Sequence, residues 1–213
     1  MRPAATKWIK VVRRFSSEKS SFVNGKHSLI DQLRSNPLLT KIDPLDALTK
    51  NTPGFHDLVR DYDAKHFIFG TLLDSIMPWE VFITRPPHDE ANKTILWAVL
   101  HLNEPYKWPQ LVNIAGTLHG GAIATIIDGA AGILFATAGH KGMTANLSSN
   151  FRHPIPLPST ILCKAFIKNI VGRKVYITVS ITSGDEQFGN LDEHEEIVEY
   201  VRGDTLFVDF KEC

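Results

Sequence analysis

The most apolar stretch of this chain contains a single carboxylate. Between Gly120 and Gly139, Asp128 is the only ionisable side chain, and aliphatic residues, alanine and glycine make up most of the rest. Burying a carboxylate in apolar surroundings is costly unless specific partners satisfy it. The stretch therefore predicts a long helix that protein encloses on several sides, with Asp128 as a candidate functional residue.

A membrane-spanning helix is the alternative for this stretch, because its length is close to what a bilayer requires. The central aspartate costs about 2.5 to 3.5 kcal/mol on insertion scales. Five glycines between residues 120 and 139 lower its hydrophobicity further. We therefore expect no transmembrane segment, and look to the rest of the chain for what encloses the helix.

Period-two alternation in the flanking sequence predicts that a sheet encloses the helix. It is clearest over residues 174–182, where Val175, Ile177 and Val179 alternate with polar residues. Further strands are predicted over residues 80–85, 94–102, 143–151, 159–170 and 200–210. In the strand at 143–151, Thr144 and Asn146 are expected on the face opposite Ala145 and Leu147. The predicted fold class is α+β, with an antiparallel sheet of about six strands wrapped around one central helix.

The 213 residues, 43% of them hydrophobic, favour one core with appendages. We divide the chain into a targeting segment at 1–15, a helical extension at 16–75 and the sheet-and-helix domain at 76–213. Within the extension, short helices are predicted over 28–34, 44–50 and 53–62. The acidic insert at 185–199 is interpreted as a solvated hairpin loop, with a partner-binding loop or a divalent-ion site as alternatives.

Positive charge is concentrated at the start of the chain. Five of the 23 basic residues precede the first acidic residue, Glu18, so the remainder carries a net charge near minus five. This balance argues against a nucleic-acid partner. The basic, acid-free start and the run Arg13-Arg14-Phe15-Ser16 are typical of a mitochondrial matrix presequence. A disordered basic tail or a surface-binding amphipathic segment are the alternatives.

The two cysteines, Cys163 and Cys213, are too few to indicate a disulfide framework or a metal site. We expect neither a metal nor a cofactor.

Several short motifs resemble one family. They are His119-Gly120-Gly121 with Asp128 nine residues after the histidine, Thr144-Ala145-Asn146-Leu147, Arg152-His153-Pro154-Ile155-Pro156-Leu157 and Gly172-Arg173-Lys174. Over roughly residues 79–210 the chain resembles the hotdog-fold thioesterases. It is most similar to the mitochondrial acyl-coenzyme A thioesterases of the thioesterase-superfamily-member 4 and 5 group. The resemblance implies a hotdog fold and hydrolysis of acyl-coenzyme A to free fatty acid and coenzyme A, the coenzyme being part of the substrate.

The glycines at the start of the helix suit this chemistry. Backbone N–H groups of Gly120 and Gly121 lack intrahelical partners and point along a dipole that favours negative charge. They can stabilise the oxyanion of a tetrahedral intermediate. Asp128 lies about 12 Å further along the helix axis, too far to act on the same carbonyl. A second, antiparallel subunit must then supply it, which predicts a homodimer and leaves open a tetramer of two such dimers.

The resemblance also assigns roles to individual side chains. Asp128 is the general base or the nucleophile, and the residues leave these two roles open. Thr144 holds the aspartate or the attacking water, and His119 fixes the loop or contacts the carbonyl. Asn113 is a further catalytic candidate, because it matches an asparagine of some related thioesterases. Substrate binding is assigned to Asn146, Arg152, Pro154, Arg173 and Lys174, although each cation could equally be a solubilising strand-edge residue.

Two other functions stay open. A coenzyme A thiol has an ordinary pKa near 8.5 and needs little help to leave, so a short set of catalytic groups is sufficient for hydrolysis. An acyl-coenzyme A binding or regulatory protein is the first alternative, supported by the acidic insert and the extension. A hotdog hydratase or dehydratase is the second, and the two glycines directly after His119 argue against it.

Overall fold

The computed structural model describes residues 29–43, 79–84, 93–102, 109–184 and 198–210. The extension contributes helix α1, Leu29–Ser35, and strand β1, Leu39–Ile42. The helix predicted over 28–34 is therefore confirmed. The targeting segment 1–15, the helices predicted at 44–50 and 53–62, and residues 185–197 of the acidic insert lie outside the described residues.

The long central helix is confirmed as α2, Gly120–Thr137. His119 precedes it in an extended backbone conformation, and Gly139 follows it with φ +88°, a left-handed conformation that suits glycine at a helix end. Ile126, Ile127 and Leu134 are completely buried. Length and composition alone would allow α2 to cross a membrane, but here it forms the core of the protein.

The remaining strands have bounds close to those predicted. They are β2 Trp79–Thr84, β3 Ile95–Leu102, β4 Gly142–Phe151, β5 Ser159–Val171, β6 Lys174–Ser183 and β7 Glu199–Asp209. Together with β1 they form one antiparallel sheet of seven strands in the order β1-β2-β3-β5-β6-β7-β4. The α+β hotdog arrangement expected from the sequence is confirmed.

The extension at 16–75 was predicted to be helical, but it also contributes the seventh strand of the sheet, β1. Strand β1 pairs antiparallel with β2, from Leu39 opposite Thr84 to Ile42 opposite Val81. A strand of four residues is too short for its alternation to stand out from the sequence around it.

Helix α2 packs against the inner face of the sheet. Val175, Val179 and Ile181 of β6 are fully buried on that face. Strand β7 approaches α2 so closely that a Cβ at Gly203 would lie 2.6 Å from Cγ2 of Ile127. Only glycine fits this crossing without a shift of the helix or the strand.

The extension covers part of the outer face. Val99 and Leu162 are buried there, and Leu33 of α1 packs against them. Glu80 accepts hydrogen bonds from Arg34 at 2.6 and 3.0 Å and from Lys41 at 3.0 Å. Burial alone would raise the pKa of Glu80, but the bonds from Lys41 and Arg34 outweigh it and hold that pKa below its usual 4.5. The described part of the extension is thus fixed to the sheet by ion pairs.

A one-residue bulge in β4 corrects the predicted faces of that strand. Thr144 lies opposite Phe207, whereas Asn146 lies opposite the adjacent Leu206, so Ala145 is the extra residue. The alternation changes phase at this point. Thr144 therefore shares the inner face with Leu147, which packs against the core, instead of the outer face with Asn146.

Candidate active site

Asp128 lies on the one face of α2 that is not fully covered. Gly121, Thr125, Asp128 and Gly132 are spaced three or four residues apart and all remain partly accessible, while most of the helix is buried. Strand β4 runs beside this face. The carboxylate is therefore reachable from solvent although apolar residues surround it in the sequence.

Thr144 holds the carboxylate of Asp128. Its hydroxyl Oγ1 donates to Asp128 Oδ1 at 2.8 Å. Within the described part of the chain, Oδ2 of Asp128 has no hydrogen-bond partner. One carboxylate oxygen is thus fixed and the other is free to accept a proton or to attack.

His119 caps the start of α2 with its own side chain. The N–H of Gly121 donates to Nδ1 of His119 at 2.9 Å. Because Nδ1 is the acceptor, the neutral imidazole carries its proton on Nε2. The sequence predicted that Gly120 and Gly121 both offer their amides to an oxyanion, but the Gly121 amide is already used. Among the described residues, the N–H of Gly120 meets no acceptor.

Asn113 organises the loop that leads to His119. Its Oδ1 accepts from the N–H groups of Ala115 and Thr117 at 2.9 and 3.1 Å, and its Nδ2 donates to Thr117 Oγ1 at 2.8 Å. Beyond this loop, the N–H of His119 donates to the carbonyl of Leu111 at 2.7 Å. The contacts of the Asn113 side chain therefore indicate a positioning role for this residue.

The catalytic candidates form two groups within one subunit. At one end of β4, the Phe151 ring lies 3.7 Å from where a Gly120 Cβ would be. At the other end, Thr144 meets Asp128. The eight residues from Gly120 to Asp128 correspond to about 12 Å along the axis. A single subunit therefore does not bring the free Gly120 amide and the Asp128 carboxylate onto one carbonyl.

The predicted substrate-binding residues are also separated. Arg152 lies just beyond the end of β4, where its Nη1 donates to Glu199 Oε2 at 2.6 Å. Arg173 and Lys174 lie at the opposite end of the sheet, where Lys174 pairs with Val208. The ten residues of β4 span about 30 Å between these ends. Asn146 lies within β4 and Pro154 follows the end of that strand, and both residues are exposed.

The structure places two residues beside Arg152 that the sequence did not single out as site residues, Arg202 and Glu199. Arg202 donates to Glu199 from Nε at 2.8 Å and from Nη2 at 3.3 Å, so Glu199 joins Arg152 to Arg202. Arg202 stands among alternating residues of a strand, and Glu199 ends the acidic insert. No local pattern connects them to Arg152, because the contact depends on the pairing of β4 with β7.

Within the described ranges, no three His, Cys, Asp or Glu side chains are grouped to hold a metal ion. Cys163 is buried, and burial raises the pKa of its thiol to about 12. A thiol with so high a pKa is a poor nucleophile at neutral pH.

Comparisons with known proteins show what this chain is similar to. Residues 115–189 match the family described as Thioesterase superfamily. A Candida albicans (strain WO-1) protein called "Uncharacterized protein, mitochondrial" is 30% identical over 170 residues, which are 77% of this chain and 70% of that protein. Acyl-coenzyme A thioesterase THEM4 of Bos taurus is 40% identical over 79 residues, and the Rattus norvegicus protein of that name is 43% identical over 77.

These matches cover 37% and 36% of this chain but only 32% and 33% of the two THEM4 proteins. The chain therefore matches about a third of the length of these curated relatives. Zebra fish thioesterase superfamily member 2 has a similar solved structure, with TM-score 0.47, 16% identity and coverage of 73% of this chain and 94% of that one. Protein smu.793 from Streptococcus mutans UA159, solved bound to acetyl CoA, gives a TM-score of 0.43 with 19% identity, covering 56% and 84%.

Proposed function

We propose that this chain, which belongs to the thioesterase superfamily, hydrolyses acyl-coenzyme A to a free fatty acid and coenzyme A. The observation that carries the proposal is the Asp128 carboxylate, fixed through one oxygen by Thr144 and free at the other. The THEM4 relatives are named as acyl-coenzyme A thioesterases, which supports the same substrate class.

Asp128 acts on the water that attacks the thioester carbonyl. The bond from Thr144 fixes Oδ1 and leaves Oδ2 to accept the proton of the water as a general base. The same geometry suits direct attack by Oδ2, which would form a mixed anhydride. A single turnover in water labelled with oxygen-18 detects an anhydride that is hydrolysed at the Asp128 carbonyl. General-base catalysis labels the fatty acid alone, whereas hydrolysis of an anhydride at the Asp128 carbonyl labels the protein.

The start of α2 stabilises the oxyanion. Its donors are the N–H of Gly120 and the Nε2–H of His119, while the N–H of Gly121 orients the imidazole through Nδ1. Asn113 contributes by holding the preceding loop. When the intermediate collapses, the coenzyme leaves as a thiolate, which requires little general-acid assistance.

A homodimer assembles the complete site. Among the described strands, β4 pairs with β7 alone, so its other edge is available to a second copy. Met143 and Phe151 of β4 are 66% and 52% exposed, so this edge strand presents large apolar side chains that a second copy would cover. Pairing two copies of β4 antiparallel also makes the two α2 helices antiparallel. Asp128 of one subunit then approaches Gly120 of the other.

The same dimer brings the substrate-binding cations together. The start of one β4 lies near the end of the other in an antiparallel pair. Arg173 and Lys174 of one subunit thereby approach Arg152 of the second, although about 30 Å separates them within one chain. These cations would face the phosphates of coenzyme A, with Asn146 and Pro154 lining the approach along β4. A dimer of such dimers remains compatible with this arrangement.

Mitochondrial matrix targeting belongs to the same proposal. Its support is the basic, acid-free start of the chain and the word mitochondrial in the name of the Candida relative. A fusion of residues 1–28 to a fluorescent protein should enter mitochondria, and the same fusion with Arg13 and Arg14 replaced by glutamine should not. The reaction itself needs no metal or further cofactor.

The direct test follows the release of coenzyme A thiol from short, medium and long acyl chains. Wild-type protein should turn over, and Asp128→Asn should be slower by at least about 100-fold. The asparagine Oδ1 still accepts from Thr144, so the variant should keep the wild-type melting temperature. If neither protein turns over while acyl-coenzyme A binds, the chain is an acyl-coenzyme A binding protein. The occupied Gly121 amide, which leaves one donor fewer for an oxyanion, favours that second candidate.

A further inference from the structure

We propose that the outer face of the sheet, near the tip of the β5–β6 hairpin, is a docking surface for a membrane that contains anionic phospholipids. This surface, which we call the hairpin patch, combines apolar side chains with lysines. Its residues are Val171, Tyr176, Leu206, Val208 and Phe210 with Lys141, Lys168 and Lys174. Binding of a membrane by this patch does not depend on the proposed reaction.

Strand register places residues of the patch side by side. Lys174 lies opposite Val171 of β5 and opposite Val208 of β7. Tyr176, two residues further along β6, lies opposite Leu206. Directly opposite residues of antiparallel strands point to the same face of a sheet. These five side chains therefore form two adjacent rows on one face.

The two rows lie on the face of the sheet that α2 does not cover. Val175, Ile177 and Phe207 alternate with the patch residues of β6 and β7, and all three are buried in the core. Successive residues of a strand point to opposite faces. The patch residues on β6 and β7 are exposed or only partly buried, and Val171 is 55% exposed. The patch is thus a partly apolar surface in contact with solvent.

Phe210 extends the patch beyond the end of β7. Its side chain is 53% exposed, and its N–H donates to the carbonyl of Lys141, the residue before β4. An exposed phenylalanine or valine is ordinary when it stands alone. Here Phe210 and Val171 lie at one end of the sheet beside other accessible apolar residues, and such grouping marks interaction surfaces.

Positive charge predominates at this end of the outer face. Lys168, the extra residue of a bulge in β5, is exposed. Two carboxylates adjoin the patch in sequence, Asp209 and Asp204, and they are hydrogen-bonded to His140 at 2.7 Å and Thr178 at 2.6 Å. The three lysines of the patch outnumber them, in a chain whose overall net charge is zero.

This charge decides between two kinds of partner. A second copy that packed the patch against itself about a twofold axis would place lysines against lysines. An anionic bilayer offers negative headgroups to the lysines and an apolar interior to Val171 and Phe210 at the same time. Apolar insertion and electrostatic attraction are each weak alone, so a patch that combines them fits a membrane surface.

Flotation with lipid vesicles tests the proposal. The full chain is used with its five N-terminal cations replaced by glutamine, because that basic segment would bind the same vesicles. These cations are Arg2, Lys7, Lys10, Arg13 and Arg14. The protein should float with phosphatidylcholine vesicles that contain roughly a third phosphatidylglycerol, and not with pure phosphatidylcholine. Added salt should weaken the binding.

Single substitutions in this background locate the binding on the patch. Val171→Ser and Phe210→Ser should each lower the partition constant about three- to tenfold, because each removes an apolar side chain that would enter the bilayer. Lys168→Gln should lower it about fivefold, the effect of one lysine near an anionic surface. Arg173 and Lys174 are left unchanged, because the proposed function assigns them to the substrate.

Two matched controls lie at the far edge of the sheet. Leu38 is 58% exposed just before β1, and the Lys41 side chain is 57% exposed within β1. Strand β1 is separated from the hairpin by β2 and β3. Leu38→Ser and Lys41→Gln thus remove the same kinds of group at a distant place, and neither should alter vesicle binding.

Three results would overturn the proposal. They are equal binding to vesicles with and without phosphatidylglycerol, patch variants that bind as well as the parent protein, and a parent protein that binds neither vesicle. Sedimentation without lipid then identifies the other partner, because self-association that Val171→Ser abolishes would assign the patch to a second copy. Thioester hydrolysis is not measured in these experiments, so a failure of the proposed function is detected separately by thiol release.

Discussion

The hydroxyl of Thr144 donates to the carboxylate of Asp128 across 2.8 Å, and this bond joins edge strand β4 to central helix α2. Removing the hydroxyl without changing side-chain shape tests it. Thr144→Val should lower kcat/KM by about 10- to 100-fold, because a hydrogen bond to a charged group is lost. Thr144→Ser should keep most of the activity. Equal activity of the valine and threonine proteins would show that the bond does not support catalysis.

A shared site predicts complementation between two inactive subunits. Asp128→Asn and His119→Ala should each form an inactive homodimer. The two variants are co-expressed with different affinity tags and purified through both tags, which isolates the heterodimer. One of its two sites then has both residues intact, so the heterodimer should show about half of wild-type activity. A heterodimer as inactive as the two parents would place Asp128 and His119 of one site in the same subunit.

Gly120 and Gly121 should respond differently to an added methyl group. At Gly120 a Cβ meets only the Phe151 ring, at 3.7 Å, an ordinary contact. Alanine also favours the helix by up to about 1 kcal/mol over glycine, so Gly120→Ala should melt no lower than wild type. Its methyl group nevertheless occupies the approach to the free amide, and kcat/KM should fall about 100-fold, the scale of a lost oxyanion donor.

At Gly121 the added Cβ would lie 3.1 Å from Nδ1 of His119. Gly121→Ala should therefore displace the imidazole and lower both activity and melting temperature. Calorimetric melting and thiol release on the two variants check both expectations. A Gly120→Ala protein of wild-type activity would exclude this amide as the oxyanion donor.

The ion pairs of Glu80 predict a pH-dependent stability. Its pKa is lower in the folded protein than the usual 4.5, so the native state binds its proton less readily than the unfolded chain does. The stabilisation is complete above pH 4.5 and is lost as the pH falls through the folded pKa. The difference in unfolding free energy between wild type and Glu80→Gln should therefore shrink as urea titrations move below pH 4.5. A difference that is constant between pH 7 and pH 3 would contradict this.

The regular elements could be predicted because their patterns are long and local. Strand β6 repeats one periodicity over several residue pairs, helix α2 is one long apolar run, and Asp128 stands out because it interrupts that run. The side-chain cap from His119 to Gly121 is also local, and a histidine two residues before a helical N–H was its signal. Its consequence, an occupied Gly121 amide, requires knowing which imidazole nitrogen faces the helix.

The remaining features depend on contacts between distant segments. Glu199 meets Arg152 across 47 residues of sequence, through the pairing of two strands. Glu80 meets Arg34 and Lys41 in the same way, so the attachment of the extension to the outer face could not be predicted from either segment alone. Strand β1 is too short to show a pattern.

The bulge at Ala145 makes the chemistry of this protein depend on parity. A strand presents each side chain by whether its position is odd or even, and the extra residue reverses that assignment for everything before it. Removing Ala145 would leave Leu147 and Phe151 facing the helix while turning the Thr144 hydroxyl towards solvent, away from Asp128. The residue that enables the threonine to reach the aspartate is thus an alanine with no reactive group. Its contribution is the one extra position that it adds to the strand.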